Sequence, residues 1–252
     1  MRIESQLGYV LHTVPYRETS LLVDLFTKQY GRIRCVAKGF RKPSKKGVTR
    51  ALFPHTEYRF NWQGRGDLKT LTQAETVQAP IFLRDECLFT GLYINELFYR
   101  LLHEHDPHEF LFEKYQQFLI QLESGIPDEL KLRLLEVCVL QELGYGLAIE
   151  STADKGLPLN KDRFYSYIPD QGLIEAKSQE HVGPHTYLGS DLICLSEGEF
   201  EKTSAIKTAK RLLRAVIDFY LDGRKLNSRD LYRQHLQSLS LIHISEPTRR
   251  EG

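Results

Sequence analysis

The chain has 252 residues, of which 41% are hydrophobic and 27% charged, with 34 Lys and Arg against 33 Asp and Glu. That composition is ordinary for a soluble globular protein of one large domain or two small ones. No apolar run approaches the roughly 20 residues a membrane span needs. The amino terminus, MRIESQLGYV, lacks the apolar core of a signal peptide, so a cytosolic chain is the expectation.

The first 76 residues have strand character. Tyr9–Val14, Ser20–Thr27, Arg32–Ala37, Thr56–Trp62 and Leu68–Glu75 are rich in β-branched and aromatic residues and are separated by Pro, Gly or charged turns. Five short strands in so few residues predict a small closed or nearly closed barrel. Gly64-Arg65-Gly66-Asp67 falls where a tight hairpin is needed between the last two strands, and turn chemistry accounts for its Arg-Gly-Asp triplet. After Pro80 the period changes. Phe89, Leu92, Tyr93, Glu96, Leu97, Arg100 and Leu101 are read as a broad, mainly apolar stripe on one helical face, and further helices are expected over Pro107–Leu122 and from Asp128 to Leu143. Asp128 caps the latter and Gly144-Tyr145-Gly146 stops it. Between Ile149 and Cys194 lie strand-like pieces, Arg163–Ile168 and Gly172–Glu175, among many turn formers. Helices return at Thr203–Leu221 and Ser228–Gln237. The predicted class is α+β, with a barrel domain over 1–79 and a mainly helical domain over 80–238. Cys35, Cys87, Cys138 and Cys194 are scattered without a CxxC pair and read as small buried side chains.

Charge is unevenly distributed. Residues 1–80 hold 14 Lys and Arg against 6 Asp and Glu, residues 81–150 hold 5 against 13, and the remainder 15 against 14. The stretch 31–50, GRIRCVAKGFRKPSKKGVTR, has eight cations and no acid. A polyanion is the partner such a front section suggests, nucleic acid first among them. Lys38, Arg41, Lys42, Lys45, Lys46 and Arg50 fall among Gly39, Pro43 and Gly47, on a loop that could follow a phosphate backbone without reading sequence. Phe40 offers a ring for base stacking within it. Arg32 and Arg34 share one strand face, with Ile33, Cys35 and Ala37 turned inward. As outward cations they would extend the loop into a track, together with Arg17, Arg65 and Lys69. A charged strand face is also what solvation alone would produce.

Several motifs in order carry a resemblance. They are Glu18-Thr19-Ser20-Leu21-Leu22 with Asp24-Leu25-Phe26-Thr27, Gly31-Arg32-Ile33-Arg34 leading to Val36-Ala37-Lys38-Gly39, and Gly64-Arg65-Gly66-Asp67-Leu68-Lys69-Thr70-Leu71. Gly91-Leu92-Tyr93-Ile94-Asn95-Glu96-Leu97, Leu143-Gly144-Tyr145-Gly146, Ala209-Lys210-Arg211 and Ser228-Arg229-Asp230-Leu231 follow. From about residue 7 to residue 237 the chain resembles the RecO family of recombination mediators. The resemblance implies an N-terminal OB-fold barrel and a helical domain. It also implies a DNA-binding protein that acts with RecR, recognises the acidic, apolar-ended tail of the single-strand-binding protein SSB, helps load RecA and anneals complementary strands, without catalysis. It implies a nucleoid-associated place in the cytoplasm. Some relatives carry a four-cysteine zinc module after the Leu-Gly-Tyr-Gly helix. Here 151–189 contains no cysteine, so a small irregular zinc-free insertion is expected.

An acidic tail with an apolar end needs an apolar pocket rimmed by cations. Lys131 and Arg133, beside Leu132, Leu134 and Leu135, are candidates on that ground. Lys207, Lys210, Arg211 and Arg214 share one helical side, as a second anion contact, a rim for the same tail, or a solvated face. Arg224, Lys225, Arg229 and Arg233 are equally open. His103, His105 and His108 cannot face one metal across Pro107 and read as a polar helix end. The chain shows no Walker loop, nucleophile elbow or HExxH. No enzyme activity, metal or cofactor is therefore expected. The alternative reading is an RNA-binding OB-fold accessory protein. Finally, Leu239–Arg249, LSLIHISEPTR, looks like a translated sequencing-library adapter. Residues 239–252 are therefore expected to be a non-native tail, and no function is assigned beyond Ser238.

Overall fold

The structure, a computed structural model, describes residues 2–41, 51–176, 183, 185–198 and 203–245, with side chains as far as Ser238. The chain forms two compact units: residues 1–106, 122–127 and 225 onward make the first, and residues 107–121 and 128–224 the second. The predicted boundary at 79/80 falls inside the first unit.

The first unit is built on five strands, β1 (Arg2–Tyr16), β2 (Ser20–Thr27), β3 (Gly31–Ala37), β4 (Glu57–Gln63) and β5 (Lys69–Thr76). They close into a barrel in the order β1-β2-β3-β5-β4. Pairing is antiparallel except between β3 and β5, where Cys35 lies opposite Lys69 and Ala37 opposite Leu71. This is the OB-fold that the resemblance implied. β1 pairs with β4 along its first half and with β2 along its second, which is why it outruns the predicted Tyr9–Val14. Inward residues alternate as expected. Val10, Val23, Leu25, Ile33, Cys35, Ala37, Tyr58, Phe60, Trp62 and Leu71 fill the barrel. β4 and β5 are joined by a five-residue loop, 64–68. The expected tight turn is thus longer, and only Gly64 of its two glycines adopts a positive φ, 138°.

Two helices complete this unit, α1 (Asp85–Leu101) and α6 (Asn227–Ser245). Phe98 of α1 meets Phe26 of β2 edge to face, with ring centroids 5.3 Å apart. Glu96 of α1 accepts hydrogen bonds from the Asn227 and Ser228 backbone N–H groups (3.0 and 2.8 Å) and from Ser228 Oγ (2.7 Å). The carboxylate thereby caps the amino end of α6 from a distant stretch of sequence. Burial works against its charge, but these bonds and Arg100 hold its pKa below the usual carboxylate value.

His55 is buried under α1, its ring against Gly91 and Leu83. Burial pushes the imidazole pKa down to about 4, despite a backbone hydrogen bond at Gly91. A folded-state value below the unfolded one means the unfolded chain takes up the proton first as pH falls. Stability is therefore expected to be full above about pH 6.5 and to decline down to about pH 4, by at most about 3 kcal/mol from this ring. Urea midpoints at pH 7, 5.5 and 4 test this, with His55→Gln losing that share of the pH slope. Equal slopes in the two proteins would exclude the ring as its source.

The second unit holds α2 (Glu109–Glu123) as far as Gln121, α3 (Glu129–Glu142), β6 (Phe164–Ile168), β7 (Gly172–Glu175), β8 (Thr186–Leu188), α4 (Gly189–Glu197) and α5 (Thr203–Tyr220). Asp128 caps α3 as predicted, its Oδ1 accepting from the Lys131 N–H at 3.1 Å. The cysteine-free insertion is more regular than expected. Its three strands form an antiparallel sheet in the order β7-β6-β8. Tyr165, Leu173 and Tyr187 are buried in it, and Tyr165 Oη accepts from the Asn160 N–H at 2.8 Å. Aromatic packing thus forms the core of this insertion. On α5, Ala205, Ala209, Leu212, Leu213, Val216 and Ile217 face inward. Asp191 of α4 accepts from Ser204 Oγ (3.0 Å) and Thr208 Oγ1 (2.8 Å), tying the two helices together.

No described helix is long and apolar enough to cross a membrane. The four cysteines are free thiols, with Cys35 and Cys87 buried and the other two half-buried. Burial pushes Cys35 up to about 12 and Cys138 up to about 11, so neither is a thiolate nucleophile near neutral pH.

Candidate nucleic-acid interface

One rim of the barrel gathers cations from two connections. β1 and β2 are joined by a three-residue turn, Arg17–Thr19, because Tyr16 pairs with Ser20. The neighbouring register sets Leu21 beside Ala37, so the segment leaving β3, Lys38–Arg41, emerges at the same rim. The Arg41 N–H donates to Thr19 O at 3.0 Å, and Arg41 Nη1 donates to Arg17 O at 3.1 Å. These bonds hold the start of the basic segment against the turn. Arg17, Lys38 and Arg41 are exposed and form no ion pair among the described residues. Glu18 is the acid in the turn. Phe40 is half-buried and packs against the barrel core, so it anchors the segment where a free stacking ring was expected. Lys42, Lys45, Lys46 and Arg50 lie outside the described residues.

Arg32 and Arg34 do share an outward strand face, but that face is occupied. Asp24, 2% exposed on β2, accepts from Arg32 Nη1 at 2.9 Å and from Arg34 Nε at 3.0 Å. Glu104, beyond α1, lies 3.3 Å from Arg32 Nη2 and 3.9 Å from Arg34 Nε. Arg32 Nε donates to Leu102 O at 2.9 Å, and its guanidinium lies over the Tyr99 ring. For Arg34, burial opposes the charge, and the Asp24 hydrogen bond with the charges of Asp24 and Glu104 outweighs it, raising the pKa. Two cations face two carboxylates, so the expectation of an open cationic track is corrected at these two positions. The spacing of β3 showed their shared face, while the partner acids come from another strand and from 70 residues downstream. Arg65 is exposed on the 64–68 loop with no carboxylate partner among the described residues, whereas Lys69 Nζ donates to Gly66 O at 2.6 Å.

In the second unit, Arg133 is buried on α3 beside Glu136, with Nη1 to Oε2 at 2.6 Å. Its Nε has no acceptor among the described residues. Lys131 is exposed at the same end of α3, 3.7 Å from Asp128. Lys210 of α5 reaches Glu129 of α3 at 2.9 Å, so α5 and α3 place Lys210 and Lys131 at one end of the helix pair. Arg211 turns the other way. It donates to Thr186 O at 3.1 Å and lies over the Tyr187 ring, which assigns it to the sheet. Arg214 pairs with Asp218 at 3.8 Å. No group of three or more His, Cys, Asp and Glu among the described residues is arranged to hold a metal ion.

The sequence reading passed over one exposed feature of the first unit, the rings of Phe53 and Phe82. Its only sequence signal was the alternation Ile81-Phe82-Leu83-Arg84, an extended segment that buries every other side chain.

Two family models match this chain in succession. The N-terminal model of recombination protein O covers residues 1–80, and the C-terminal model covers residues 87–230. Among curated proteins, the chain is 40% identical over 226 residues to the DNA repair protein RecO of Methylococcus capsulatus, covering 90% of this chain and 91% of that one. It is 39% identical to that of Pseudomonas aeruginosa (93% and 97% covered) and 37% identical to that of Serratia proteamaculans (91% and 93% covered).

Proposed function

The chain belongs to the RecO family of DNA repair proteins, and on that premise we propose that it is a non-enzymatic recombination mediator that binds DNA, takes up the SSB tail and anneals complementary strands. The observation that carries this reading is the unpaired cationic rim of an OB-fold barrel, Arg17, Lys38 and Arg41, continuous in sequence with Lys42, Lys45, Lys46 and Arg50. Phosphates of single- or double-stranded DNA are held there by charge, without base recognition. Two strands held close on a cationic surface repel each other less, and annealing follows. Arg32 and Arg34 contribute by shaping β3, since their charges are satisfied internally. Arg65 extends the surface along the 64–68 loop.

Lys131 and Lys210 offer an acidic peptide donors at one end of α3 and α5, Arg133 shapes that end from behind through its buried pair with Glu136, and the exposed Leu134 of α3 meets the terminal apolar residue. Arg211 supports that site through the sheet and does not touch the tail. With RecR the protein helps load RecA on the uncovered strand, in the cytoplasm at the nucleoid.

The test is annealing of SSB-coated complementary strands. Full-length SSB is expected to support faster annealing than tailless SSB, and Arg133→Ala to remove the difference while weakening a labelled tail peptide about tenfold or more. Lys131→Ala, at an exposed position that cannot disturb packing, is expected to act in the same direction. Equal annealing with both SSB forms would end the tail assignment. Equal affinity for matched RNA and DNA, with no annealing, would favour an RNA-binding accessory role.

A further inference from the structure

We propose that Arg17, laid over the Tyr16 ring at the β1–β2 turn, is a stacking platform for an unpaired nucleobase, with Lys38 and Arg41 holding the phosphates beside it. The inference rests on the DNA-binding reading above and names the part of the ligand, base as well as phosphate, that this rim takes.

The Arg17 guanidinium lies over the Tyr16 ring, 5.2 Å from its centroid. Arg17 is exposed and Tyr16 half-buried, so the ring backs the guanidinium and leaves its outer plane to solvent. Tyr16 is held in turn. It pairs with Ser20 across the turn and shares its strand face with Val14, which lies opposite Leu22. The backbone gives a second, independent sign. Arg17 has φ 51°, the left-handed region, in a three-residue turn where glycine or asparagine is the usual occupant. Its carbonyl is fixed by Arg41 Nη1 at 3.1 Å, and that of Thr19 by the Arg41 N–H at 3.0 Å. A long cation kept where the backbone favours glycine points to a task for its side chain.

Charge selects the ligand. Arg17, Lys38 and Arg41 are exposed at one rim, with no ion-pair partner among the described residues, against Glu18 as the acid of the turn. Three open cations suit a polyanion. A guanidinium is also planar and stacks on aromatic faces. With one plane against Tyr16, the other offers a flat, positively charged surface that a base fills and a bare phosphate does not. Phe40 is drawn against the barrel core, so Tyr16 and Arg17 supply the flat surface of this rim. A strand with unpaired bases carries both the π-face and the negative backbone that the four residues match.

The experiment compares a fluorescently labelled oligothymidylate with an abasic strand of the same length and charge, binding to the full chain. The wild type is expected to bind the base-bearing strand more tightly. Arg17→Lys keeps the charge and loses the plane. It is expected to weaken the base-bearing strand about fivefold or more, while leaving the abasic strand, the salt dependence and the urea midpoint unchanged. Tyr16→Leu keeps apolar bulk beneath the guanidinium without the ring, and is expected to weaken the same strand about threefold. Equal wild-type affinity for both strands, or an Arg17→Lys protein indistinguishable from wild type, would overturn the platform and leave the phosphate-binding reading intact. Equal weakening of both strands by Arg17→Lys would make Arg17 a phosphate contact alone, and would overturn the platform as well. Binding of neither strand by the wild type would sink both readings.

Discussion

Asp24→Asn is expected to destabilise the first unit by about 3 kcal/mol, read as a lower urea midpoint with an unchanged slope. The carboxylate is almost wholly buried and is the common acceptor of Arg32 and Arg34. Neutralising it while keeping its shape leaves two guanidinium groups sharing Glu104, whose nearer contact is 3.3 Å and whose farther one is 3.9 Å. Losing one partner of a buried charge set exceeds the net worth of the pair, because the remaining charge stays desolvated. The same residues join the barrel to the chain leaving α1. The His105 N–H donates to Arg32 O at 3.0 Å, and a Cβ at Gly31 would stand 1.9 Å from Asp106 O. Gly31, at φ 64°, is thus the point where no side chain fits. A variant that melts with the wild type would show that the cluster does not bind this joint. Arg34→Ala, at the more exposed member, should lose less than Asp24→Asn.

Reversing Lys42, Lys45 and Lys46 together to Glu is expected to reduce single-strand affinity by roughly a hundredfold or more near 0.1 M salt. It should also reduce the slope of log affinity against log salt by about 2, at about 0.7 per lost phosphate contact. Three cations become three anions in a segment that has no acid of its own, so repulsion adds to the lost attraction. The abasic and base-bearing strands should suffer alike, in contrast to the Arg17→Lys and Tyr16→Leu variants. Unchanged affinity at low salt would move the phosphate site off this segment and onto Arg17, Lys38 and Arg41 alone.

The barrel was legible because strand alternation is a local property. Ile33, Cys35 and Ala37 point inward for the same reason that Arg32 and Arg34 point outward. The fate of those two arginines was not legible, since what decides it is Asp24 on the paired strand and Glu104 after α1. Charge counted along a sequence does not report which cations are already neutralised across space. Arg211 repeats the lesson. Helical spacing groups it with Lys207, Lys210 and Arg214, while its guanidinium is held by Thr186 O and the Tyr187 ring. β8 and α4 escaped because three residues of strand leave no period to read. The Phe53 and Phe82 pair escaped because one ring follows the basic segment and the other precedes a helix, 29 positions apart.

Glu96 capping α6 through Asn227 and Ser228 has a consequence for biosynthesis. The first unit is discontinuous: the ribosome emits its barrel at the start and its last helix after the whole of the second unit. Vectorial folding, in which each domain closes as it emerges, therefore cannot complete the first unit before the second has been made. The portion translated earliest matures last, and α1 waits with its cap-giving carboxylate unoccupied until some 130 further residues have been polymerised.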